Sequence, residues 1–401
     1  MAELETDIKD TLNDPTQYGN TKGSSTSHYL LKLTDEAHKS ANKGNVTTAI
    51  TIDYSKAFDL VDHSTLKEKL IELGVRSNLL KLIMSFLSNR KHYTKINNIC
   101  SDLVDITCGI PQGTICGPRL FTILIKGVKC PMVLNVKFVD DKTLIHSYSG
   151  DPTPFLQNVL NIENTETIKD KMIINESKCN IINFNFSGKN SPPQSLQLND
   201  NEISSVKKIK LLGVTITDDL RWRENTAAIH EKVNKKFWQL CRLRQFGFKQ
   251  QLLLSTWKTL LRPITEYCAP IWHCSLIDAD KILLENLQKK ALGLILGTWY
   301  IDHRRYYKVQ GKPVSYNEAL KSCNLVTLEQ RREDLTTKFA LDTYRNPRHK
   351  EFFENVSTLR PNTRFKPTVQ EHHGTTYRYL NSALPTMIKR INSSNFPGNG
   401  T

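Results

Sequence analysis

The sequence lacks the features of a membrane protein or a secreted protein. It contains no run of about 18 apolar residues, the length that a helix needs to cross a bilayer, so we expect no membrane contact. Its first twenty residues are acidic and polar, without the basic start and apolar stretch of a secretory signal. The nine cysteines are an odd number and form no C-x-x-C pair, which argues against a disulfide frame. We therefore expect an intracellular protein, in the nucleus or the cytoplasm.

The sequence also lacks a recognisable zinc finger. The nearest cluster of metal-ligating residue types is Cys268, His273 and Cys274, in EYCAPIWHCS. Four ligands at finger spacing are missing, so we interpret these three residues as core packing.

Positive charge is abundant, and it is unevenly distributed. The 401 residues carry a formal net charge of +15. Residues 1–200 hold 22 Lys and Arg against 22 Asp and Glu, whereas residues 201–401 hold 33 against 18. A basic surface of this size indicates a polyanionic partner, most often nucleic acid. The alternative is that the positive charge only aids solubility and belongs to a disordered basic tail.

Apolar periodicity divides the chain into a mixed first half and a helical second half. We predict helices over 26–42, from a Thr65–Glu68 capping box to Gly74, from about residue 78, and over 115–127. Strands are predicted over 46–53, within 92–109, and as a hairpin over 132–148. A strand at 181–186, a polar linker at 189–200 and a strand pair at 206–217 follow. Residues 222–345 show an almost wholly helical pattern, and the Pro-, Asn-, Ser- and Gly-rich remainder is expected to be poorly ordered.

Three acidic residues stand at the ends of predicted strands. Asp53 follows the apolar strand AITI, and Asp140 and Asp141 interrupt the hairpin KFVDDKTLI. Carboxylates brought together raise one another's pKa and resist ionisation, and a divalent cation removes that penalty. Two Mg²⁺ ions held this way would serve phosphoryl transfer, whereas an Asp-Asp pair alone could also be ordinary turn chemistry.

Several ordered motifs resemble the reverse transcriptases of non-LTR (LINE-like) retrotransposons. AITIDYSKAFDLVDH (49–63), GIPQGTICGPRLF (109–121) and KFVDDKTLI (137–145) resemble the palm of these enzymes. YGNTKGSSTSHYL (18–30), NESK (175–178) and KKIKLLGVTITDDLRW (207–222) resemble the segments before and after it. RREDLTTKFA (331–340) resembles a C-terminal patch, so the resemblance covers roughly residues 15–345.

The resemblance implies roles for residues of the first half. Asp53, Asp140 and Asp141 would be the catalytic, metal-holding carboxylates, with two Mg²⁺ ions or, as a substitute, Mn²⁺. Lys178 would lie near the triphosphate and protonate the leaving pyrophosphate. The nucleotide would meet five further residues: Tyr54, Phe58, Pro111, Gln112 and Gly113. Among them Phe58 would exclude the ribose 2′-hydroxyl, although core packing is the alternative for this ring.

The second half then resembles a thumb. Ile229, Val233, Phe237 and Leu240 share one predicted helix face. The other faces carry four cations that would contact the phosphates of a primer–template duplex, namely Lys232, Lys235, Lys236 and Arg242. Any one of them could instead be a solvated surface charge.

The expected fold is α+β: a right-hand polymerase palm with partial fingers, then an all-helical thumb and a C-terminal helical extension. The predicted domains are partial fingers (1–45), palm (46–220), thumb and connection (221–345) and a poorly ordered tail (346–401). The resemblance begins just before the palm, and Lys126-Gly127 stands where the family usually has an Asn-Asp pair. We therefore expect a chain truncated at its fingers, without the endonuclease found upstream in many such elements.

The function implied by the resemblance is RNA-directed DNA polymerisation by two-metal nucleotidyl transfer. The partners would be an RNA template, a DNA primer and deoxynucleoside triphosphates, and the sequence leaves the oligomeric state open. The alternative is an inactive remnant that only binds nucleic acid. An RNA polymerase with a related palm is a third reading, against which the bulky Phe58 argues.

Overall fold

The chain forms two compact units, Met1–Lys207 and Lys208–Thr401. A computed structural model describes residues 14–125, 130, 132–186, 192–301, 304–353, 369–371, 374 and 376–394. Over those ranges no helix combines the length and the apolar character needed to cross a bilayer. Lys126 and Gly127, noted above as a departure from the family, lie outside them.

The first unit combines five α-helices with ten strands in its described residues. The helices are α1 (Thr26–Asn42), α2 (His63–Glu72), α3 (Ser77–Leu87), α4 (Cys116–Leu124) and α5 (Thr153–Lys169), and a 3₁₀ turn covers Glu176–Lys178. The strands are β1 (Val46–Ile52), β2 (Arg90–His92), β3 (Lys95–Ile96), β4 (Ile99–Cys100), β5 (Val104–Ile106), β6 (Leu134–Phe138), β7 (Asp141–Tyr148), β8 (Asn180–Phe184), β9 (Ser195–Leu198) and β10 (Asn201–Ser204).

A four-stranded antiparallel sheet in the order β6-β7-β1-β8 forms the centre of the first unit. Strand β1, with the sequence VTTAITI, pairs on both edges, and six of its seven residues are buried. Such β-branched residues suit a central strand because their stiff side chains pack well on a pleated surface. The predicted strand at 46–53 and the predicted hairpin at 132–148 are thus confirmed.

Two local predictions for the first unit are wrong. Helix α2 begins earlier than the predicted Thr65–Glu68 capping box, because the carboxylate of Asp62 caps it by accepting from the Thr65 N–H at 2.8 Å. Asp is at least as favourable as Thr at the N-cap position. Asp62 directly precedes His63, the first residue of the helix. The predicted polar linker at 189–200 contains strand β9, whose Leu196 and Leu198 are buried and which pairs with β10.

The second unit consists mainly of helices, with two small sheets. Its strands are β11 (Lys208–Leu211), β12 (Val214–Thr217), β13 (Thr298–Ile301), β14 (Arg304–Val309) and β15 (Lys312–Val314). Its α-helices are α6 (Arg223–Gln245), α7 (Gln250–Thr256), α8 (Ala269–Trp272), α9 (Asp278–Leu296), α10 (Tyr316–Ser322), α11 (Leu328–Arg345), α12 (Tyr377–Leu380) and α13 (Ala383–Ser394). A π-helical segment (Trp257–Leu261) and 3₁₀ turns (Arg262–Thr265, His273–Ser275 and Pro347–Phe352) connect some of the helices.

Two predictions for the second unit are also wrong. The region predicted to be a thumb is not all helical, because β13, β14 and β15 form a three-stranded antiparallel sheet. The tail after residue 346 is not wholly poorly ordered, because it contains α13, whose Leu384, Met387 and Ile391 are buried. These three side chains recur at helical spacing, and burying them stabilises the helix by tertiary packing.

Candidate metal centre and basic surface

The central sheet brings three predicted carboxylates of the first unit together. In the β1–β7 register Ile52 pairs with Lys142, so Asp53 lies one step further along, beside Asp141. Phe138 pairs with Asp141 across the hairpin, which leaves Val139 and Asp140 as its two turn residues. The strand ends thereby gather acids from two segments that lie 87 residues apart in the sequence.

Burial and mutual repulsion raise the pKa values of the hairpin acids. Burial is the larger cause for Asp141, and the charges of Asp140 and Asp53 add to it, which raises the pKa of Asp141 to about 6. The pKa of Asp140 is raised mainly by burial and also by Asp53, while Lys178 partly offsets this rise. The site therefore concentrates more negative charge than the neighbouring side chains neutralise, which is what a bound cation would relieve.

The donor set fits a hard divalent cation. Oδ2 of Asp53 is buried and accepts no hydrogen bond within the described part of the chain, although it forms a long ion pair with Nζ of Lys178 at 3.4 Å. No group of three or more His, Cys, Asp or Glu side chains in the described residues is arranged to hold a metal ion by itself. Mg²⁺ is normally held by one or two carboxylates together with water and substrate phosphates, so an incomplete protein shell is consistent with it.

The hairpin turn is strained, and a neighbouring segment holds it. Val139 has a φ of 59°, which is unfavourable for a β-branched residue. Its N–H donates to Oε1 of Gln17 at 2.9 Å, and the same oxygen accepts from the N–H of Gly19. A Cβ at Gly19 would lie 2.6 Å from Val139, so only glycine fits there. The sequence indicated the YGN segment but missed Gln17, whose contact spans 122 residues.

Two buried lysines flank the turn on the paired strands. Lys137 and Lys142 are cross-strand partners, each about 1% exposed. Nζ of Lys137 lies 2.6 Å from Asp14, and Nζ of Lys142 lies 2.5 Å from Glu163. Because each ammonium has its own carboxylate, the like charges can be buried opposite each other.

Tyr54, which was predicted to meet the nucleotide, has a buried side chain. Its side chain is 7% exposed, and its hydroxyl donates to Oε1 of Glu163 at 3.3 Å. The ring is therefore part of the core beside the Lys142–Glu163 pair. Core packing and the bond to Glu163 hold the side chain away from the surface, and the predicted role of Tyr54 in nucleotide binding stays a prediction.

Lys178 lies at the carboxylate cluster. Its Nζ is 3.4 Å from Oδ2 of Asp53, and its side chain is 65% exposed. Backbone bonds fix the segment, since the N–H of Asn175 donates to the carbonyl of Asp53 at 2.7 Å. An exposed ammonium at this point is accessible to an anion that approaches the carboxylates.

The predicted Pro-Gln-Gly loop packs against the segment that follows β1. The N–H of Ile110 donates to the carbonyl of Phe58 at 2.8 Å, and Nε2 of Gln112 donates to Oδ1 of Asp59 at 3.1 Å. Gly113 has a φ of 76°, and Pro111 is half-buried. The loop thus joins the 58–61 segment, while Gln112 and Gly113 remain exposed.

Phe58 is both a packing residue and partly accessible. Its ring stacks on Phe121 with centroids 4.5 Å apart, and it packs on the edge of the core. It is not fully buried. This geometry is compatible with either of the two roles that the sequence left open.

In the second unit, α6 has the predicted amphipathic character. Ile229, Val233, Phe237 and Leu240 are all buried, as predicted. None of the four cations predicted to contact phosphates is buried. Lys232, Lys235 and Arg242 are exposed, and Lys236 is half-buried. Lys235 also pairs with Glu231 at 2.5 Å.

A groove of about 560 Å³ runs beside this helix. Lys210 of β11 lines it together with Lys232 and Lys235 of α6, and Gly213 and Tyr267 complete one side. Three residues after Lys235 on α6, Trp238 is 61% exposed. The sequence interpretation missed Trp238, although its position four residues before Arg242 places both on one helix face.

His273 is a core residue, as the sequence suggested. It is 1% exposed, with Nε2 at 2.9 Å from Glu333 and Nδ1 at 3.2 Å from Nε of Arg332. Burial is the main reason why the pKa of His273 is lowered to about 3, and the nearby cations Arg332, Lys281 and Arg390 lower it further. The imidazole is therefore neutral and bridges two charged side chains.

Comparison with known protein families identifies the class to which the chain belongs. The family described as "Reverse transcriptase (RNA-dependent DNA polymerase)" matches residues 2–216, more than half of the chain. The chain belongs to this family, and the resemblance to the enzymes of non-LTR retrotransposons is confirmed.

Relatives from mobile elements extend the similarity beyond the matched region. The chain is 22% identical over 351 residues to the probable RNA-directed DNA polymerase from transposon X-element of Drosophila melanogaster, covering 83% of the chain and 37% of that protein. It is 24% identical over 305 residues to the RNA-directed DNA polymerase from mobile element jockey of Drosophila funebris, covering 72% of the chain and 32% of that protein. The chain thus spans about a third of the length of these relatives.

Solved structures give a weaker match. Telomerase from Candida albicans, in complex with a fragment of telomeric RNA, aligns with 73% of the chain and 46% of its own at a TM-score of 0.42 and 14% identity. Telomerase from Candida tropicalis aligns with 87% of the chain and 55% of its own at the same TM-score and 13% identity. Similarity at this level carries no argument about details of the fold.

Proposed function

We propose that this chain is an RNA-directed DNA polymerase, as its mobile-element relatives are named. The primer 3′-hydroxyl would attack the α-phosphate of a deoxynucleoside triphosphate, with pyrophosphate as the leaving group. The observation that carries the proposal is the convergence of Asp53, Asp140 and Asp141, with raised pKa values at the two hairpin acids. The alternative of an inactive binding protein is not favoured, because all three carboxylates are retained at one site.

The carboxylates would hold the catalytic cations. Two Mg²⁺ ions, or Mn²⁺ in their place, stabilise the attacking and leaving oxygens of phosphoryl transfer when they are bound. Asp53 would contribute the oxygen that lacks a hydrogen-bond donor, and Asp140 would contribute from the hairpin turn. Asp141 would add negative charge that helps to balance the charge of the bound cations.

Three elements would contact the nucleotide. Lys178 would release Asp53, turn toward the triphosphate and donate a proton to the leaving pyrophosphate, which its 65% exposed side chain permits. Phe58 would lie under the sugar and exclude a 2′-hydroxyl. The loop of Pro111, Gln112 and Gly113 would lie against the base pair that forms, where glycine allows close approach of the backbone.

The two units would have separate roles. The first would be the palm with partial fingers, and the second would be a mainly helical thumb. Lys232, Lys235, Lys236 and Arg242 of α6 would contact the phosphates of an RNA template paired with a DNA primer. Contacts of this kind fix position and carry no sequence information, so binding is expected to be sequence-independent.

The proposal is tested by primer extension. The purified chain is incubated with a DNA primer annealed to an RNA template, Mg²⁺ and the four deoxynucleoside triphosphates. We expect extension that disappears in Asp53→Asn. If the chain binds the primed template yet extends nothing with Mg²⁺ or with Mn²⁺, the polymerase assignment is wrong.

A further inference from the structure

The sheet formed by β13, β14 and β15 has a composition that the proposed function does not use. Its described residues contain four cations and no carboxylate, whereas Asp302 lies outside them. The cations are Arg304, Arg305, Lys308 and Lys312. Tyrosines at 300, 306 and 307 interleave with these cations. A small, basic, aromatic-rich sheet is unusual as a purely structural element, because it presents few apolar side chains to a core.

Only one face of the central strand β14 packs against the unit. Tyr307 is 2% exposed, and its hydroxyl donates to the carbonyl of Lys289 on α9 at 3.4 Å. Successive side chains of a strand point to opposite faces. Arg304, Tyr306 and Lys308 therefore share the opposite, outer face, about 6.6–6.8 Å apart along the strand. Arg304 and Lys308 are exposed, and Tyr306 is half-buried.

An aromatic–cation pair lies at the edge of the same sheet. Tyr300 of β13 is 59% exposed, and the guanidinium carbon of Arg305 is 5.9 Å from the centre of its ring. Nη2 of Arg305 also donates to the Tyr300 hydroxyl at 3.2 Å. Tyr300 and Arg305 are cross-strand partners, and Arg305 is two residues from Tyr307, so this pair lies on the face of Tyr307 and is separate from the outer row.

We propose that the outer face of this sheet, defined by Arg304, Tyr306 and Lys308, binds an unpaired strand of nucleic acid. Arg304 and Lys308, which lie on either side of Tyr306 in this row, can pair with the phosphates of a nucleic-acid strand. The ring between them offers a stacking surface to a base. In a duplex the faces of the bases are already stacked on one another, so Tyr306 favours an unpaired strand over a double helix. Contacts to phosphates and base faces do not depend on the sugar, so RNA and DNA strands are both accepted.

The proposal does not depend on DNA synthesis. It concerns a sheet of the second unit, whereas the carboxylate cluster lies in the first. Binding measured without metal and without nucleotide tests it alone. A chain that binds unpaired strands but fails in primer extension would support this inference while contradicting the polymerase assignment.

The test measures binding of the full chain to 20-nucleotide oligo(U), 20-nucleotide oligo(dT) and a duplex of equal length, by fluorescence anisotropy with EDTA. The double variant Arg304→Gln/Lys308→Gln should bind both single strands about 10-fold more weakly. Its plot of log affinity against log salt should be flatter by about 1.4, since each phosphate that is no longer neutralised removes about 0.7 for single strands. The matched control Lys321→Gln/Lys338→Gln removes two exposed cations from α10 and α11 and should change binding less than 2-fold.

A second pair of variants isolates stacking. Tyr306→Leu should weaken single-strand binding about 5-fold, leave the salt dependence unchanged and affect duplex binding less than 2-fold. Tyr306→Phe keeps the ring and should bind like the parent. The proposal is overturned if the double variant behaves like its control, or if Tyr306→Leu binds single strands like the parent. Equal losses for duplex and single strands in Tyr306→Leu would also overturn it.

Discussion

At the residue scale, the side chain of Phe58 has two possible roles, which are selection of the nucleotide sugar and packing of the core. As a gate it would exclude the ribose 2′-hydroxyl by its bulk, and as a packing residue it would only support Phe121 through the 4.5 Å stack. We predict that Phe58→Ala raises ribonucleotide incorporation relative to deoxynucleotide incorporation by at least about 10-fold, a difference of about 1.4 kcal/mol in transition-state free energy. Competitive single-nucleotide extension measures the ratio.

A control separates the gate from a general loss of packing. Phe121→Leu disturbs the same stack from the buried side, where the residue is 0% exposed. It should lower stability and leave the sugar preference unchanged. If Phe58→Ala remains active with the parental ratio, Phe58 serves the core alone.

Asp141 should make the metal-free protein less stable as the pH rises. Burial, with help from Asp140 and Asp53, raises the pKa of Asp141 to about 6 from an ordinary value near 3.8. The folded state therefore favours the protonated acid. Ionisation of Asp141 costs no stability below about pH 4, and its cost grows as the pH rises from about 4 to 6 and remains above 6. We predict that Asp141→Asn is more stable than the parent at pH 7.5, by on the order of 1 kcal/mol after allowance for partial exposure.

Urea unfolding in EDTA between pH 4 and pH 8 measures this difference. The advantage of Asp141→Asn should vanish toward pH 4, where the parent acid is protonated. Added Mg²⁺ should reduce the advantage at pH 7.5, because the ion binds the parent cluster and stabilises it. A difference that is independent of pH would show that the acid is not held in a charged cluster.

At the scale of elements, the β6–β7 hairpin depends on a segment far away in sequence. The Gln17 side chain accepts the N–H of Val139 and thereby holds a backbone conformation that costs on the order of 1–3 kcal/mol. We predict that Gln17→Ala lowers the rate of DNA synthesis about 10-fold at saturating nucleotide, because Asp140 next to Val139 is no longer fixed. Pre-steady-state extension measures the rate.

Val139→Gly provides the rescue. Glycine adopts a positive φ without strain, so Val139→Gly in the Gln17→Ala background should recover most of the lost rate. If Gln17 only stabilises the fold, Gln17→Ala should lower the unfolding temperature, and Val139→Gly should not restore the rate. That result would contradict a role of Gln17 in positioning Asp140.

The sequence was sufficient where local patterns and tertiary structure agree. Strand β1, the hairpin ending at Asp141 and the buried face of α6 follow from apolar periodicity, and the convergence of the acids follows from the order of the motifs. Gln17 could not be found in this way, because its role arises from a contact with Val139 that only the fold creates. The burial of the Tyr54 side chain could not be predicted for the same reason, since its partner Glu163 lies 109 residues away.

The elements that were missed have weak local signals. Strand β14 reads RRYYKV, in which only Tyr307 is buried, so no apolar alternation marks it. Helix α13 stands in a segment whose composition indicates disorder, yet apolar side chains at helical spacing pack it into the unit. In both cases packing against the rest of the unit decides the structure, and composition does not record that packing.

At the scale of the whole molecule, the excess charge should govern binding of duplexes. We predict that replacing the four cations of α6 by Gln weakens binding to duplexes of any sequence. The plot of log affinity against log salt concentration should become flatter, by about 0.9 for each phosphate of B-form DNA that α6 no longer neutralises. The affected residues are Lys232, Lys235, Lys236 and Arg242. Titration of a fluorescent duplex between about 50 and 200 mM salt, a range over which such interactions weaken strongly, measures the slope.

A matched variant removes the same number of charges elsewhere in the second unit. Its four substitutions to Gln fall on exposed cations at positions Lys321, Lys338, Arg345 and Lys350. This variant should keep nearly the parental slope. Equal effects of the two variants would mean that only the net charge matters and that α6 does not contact the duplex.

The central claim is that the carboxylate cluster performs DNA synthesis on an RNA template. The most direct measurement compares primer extension by the parent, by Asp140→Asn and by Asp102→Asn, an exposed acid outside the cluster. Asp140→Asn should lose at least about 10³-fold in rate, which corresponds to about 4 kcal/mol, because it removes an anion that is proposed to bind the metal. It should still fold and bind primed template, and Asp102→Asn should extend like the parent. Undiminished extension by Asp140→Asn would contradict the account.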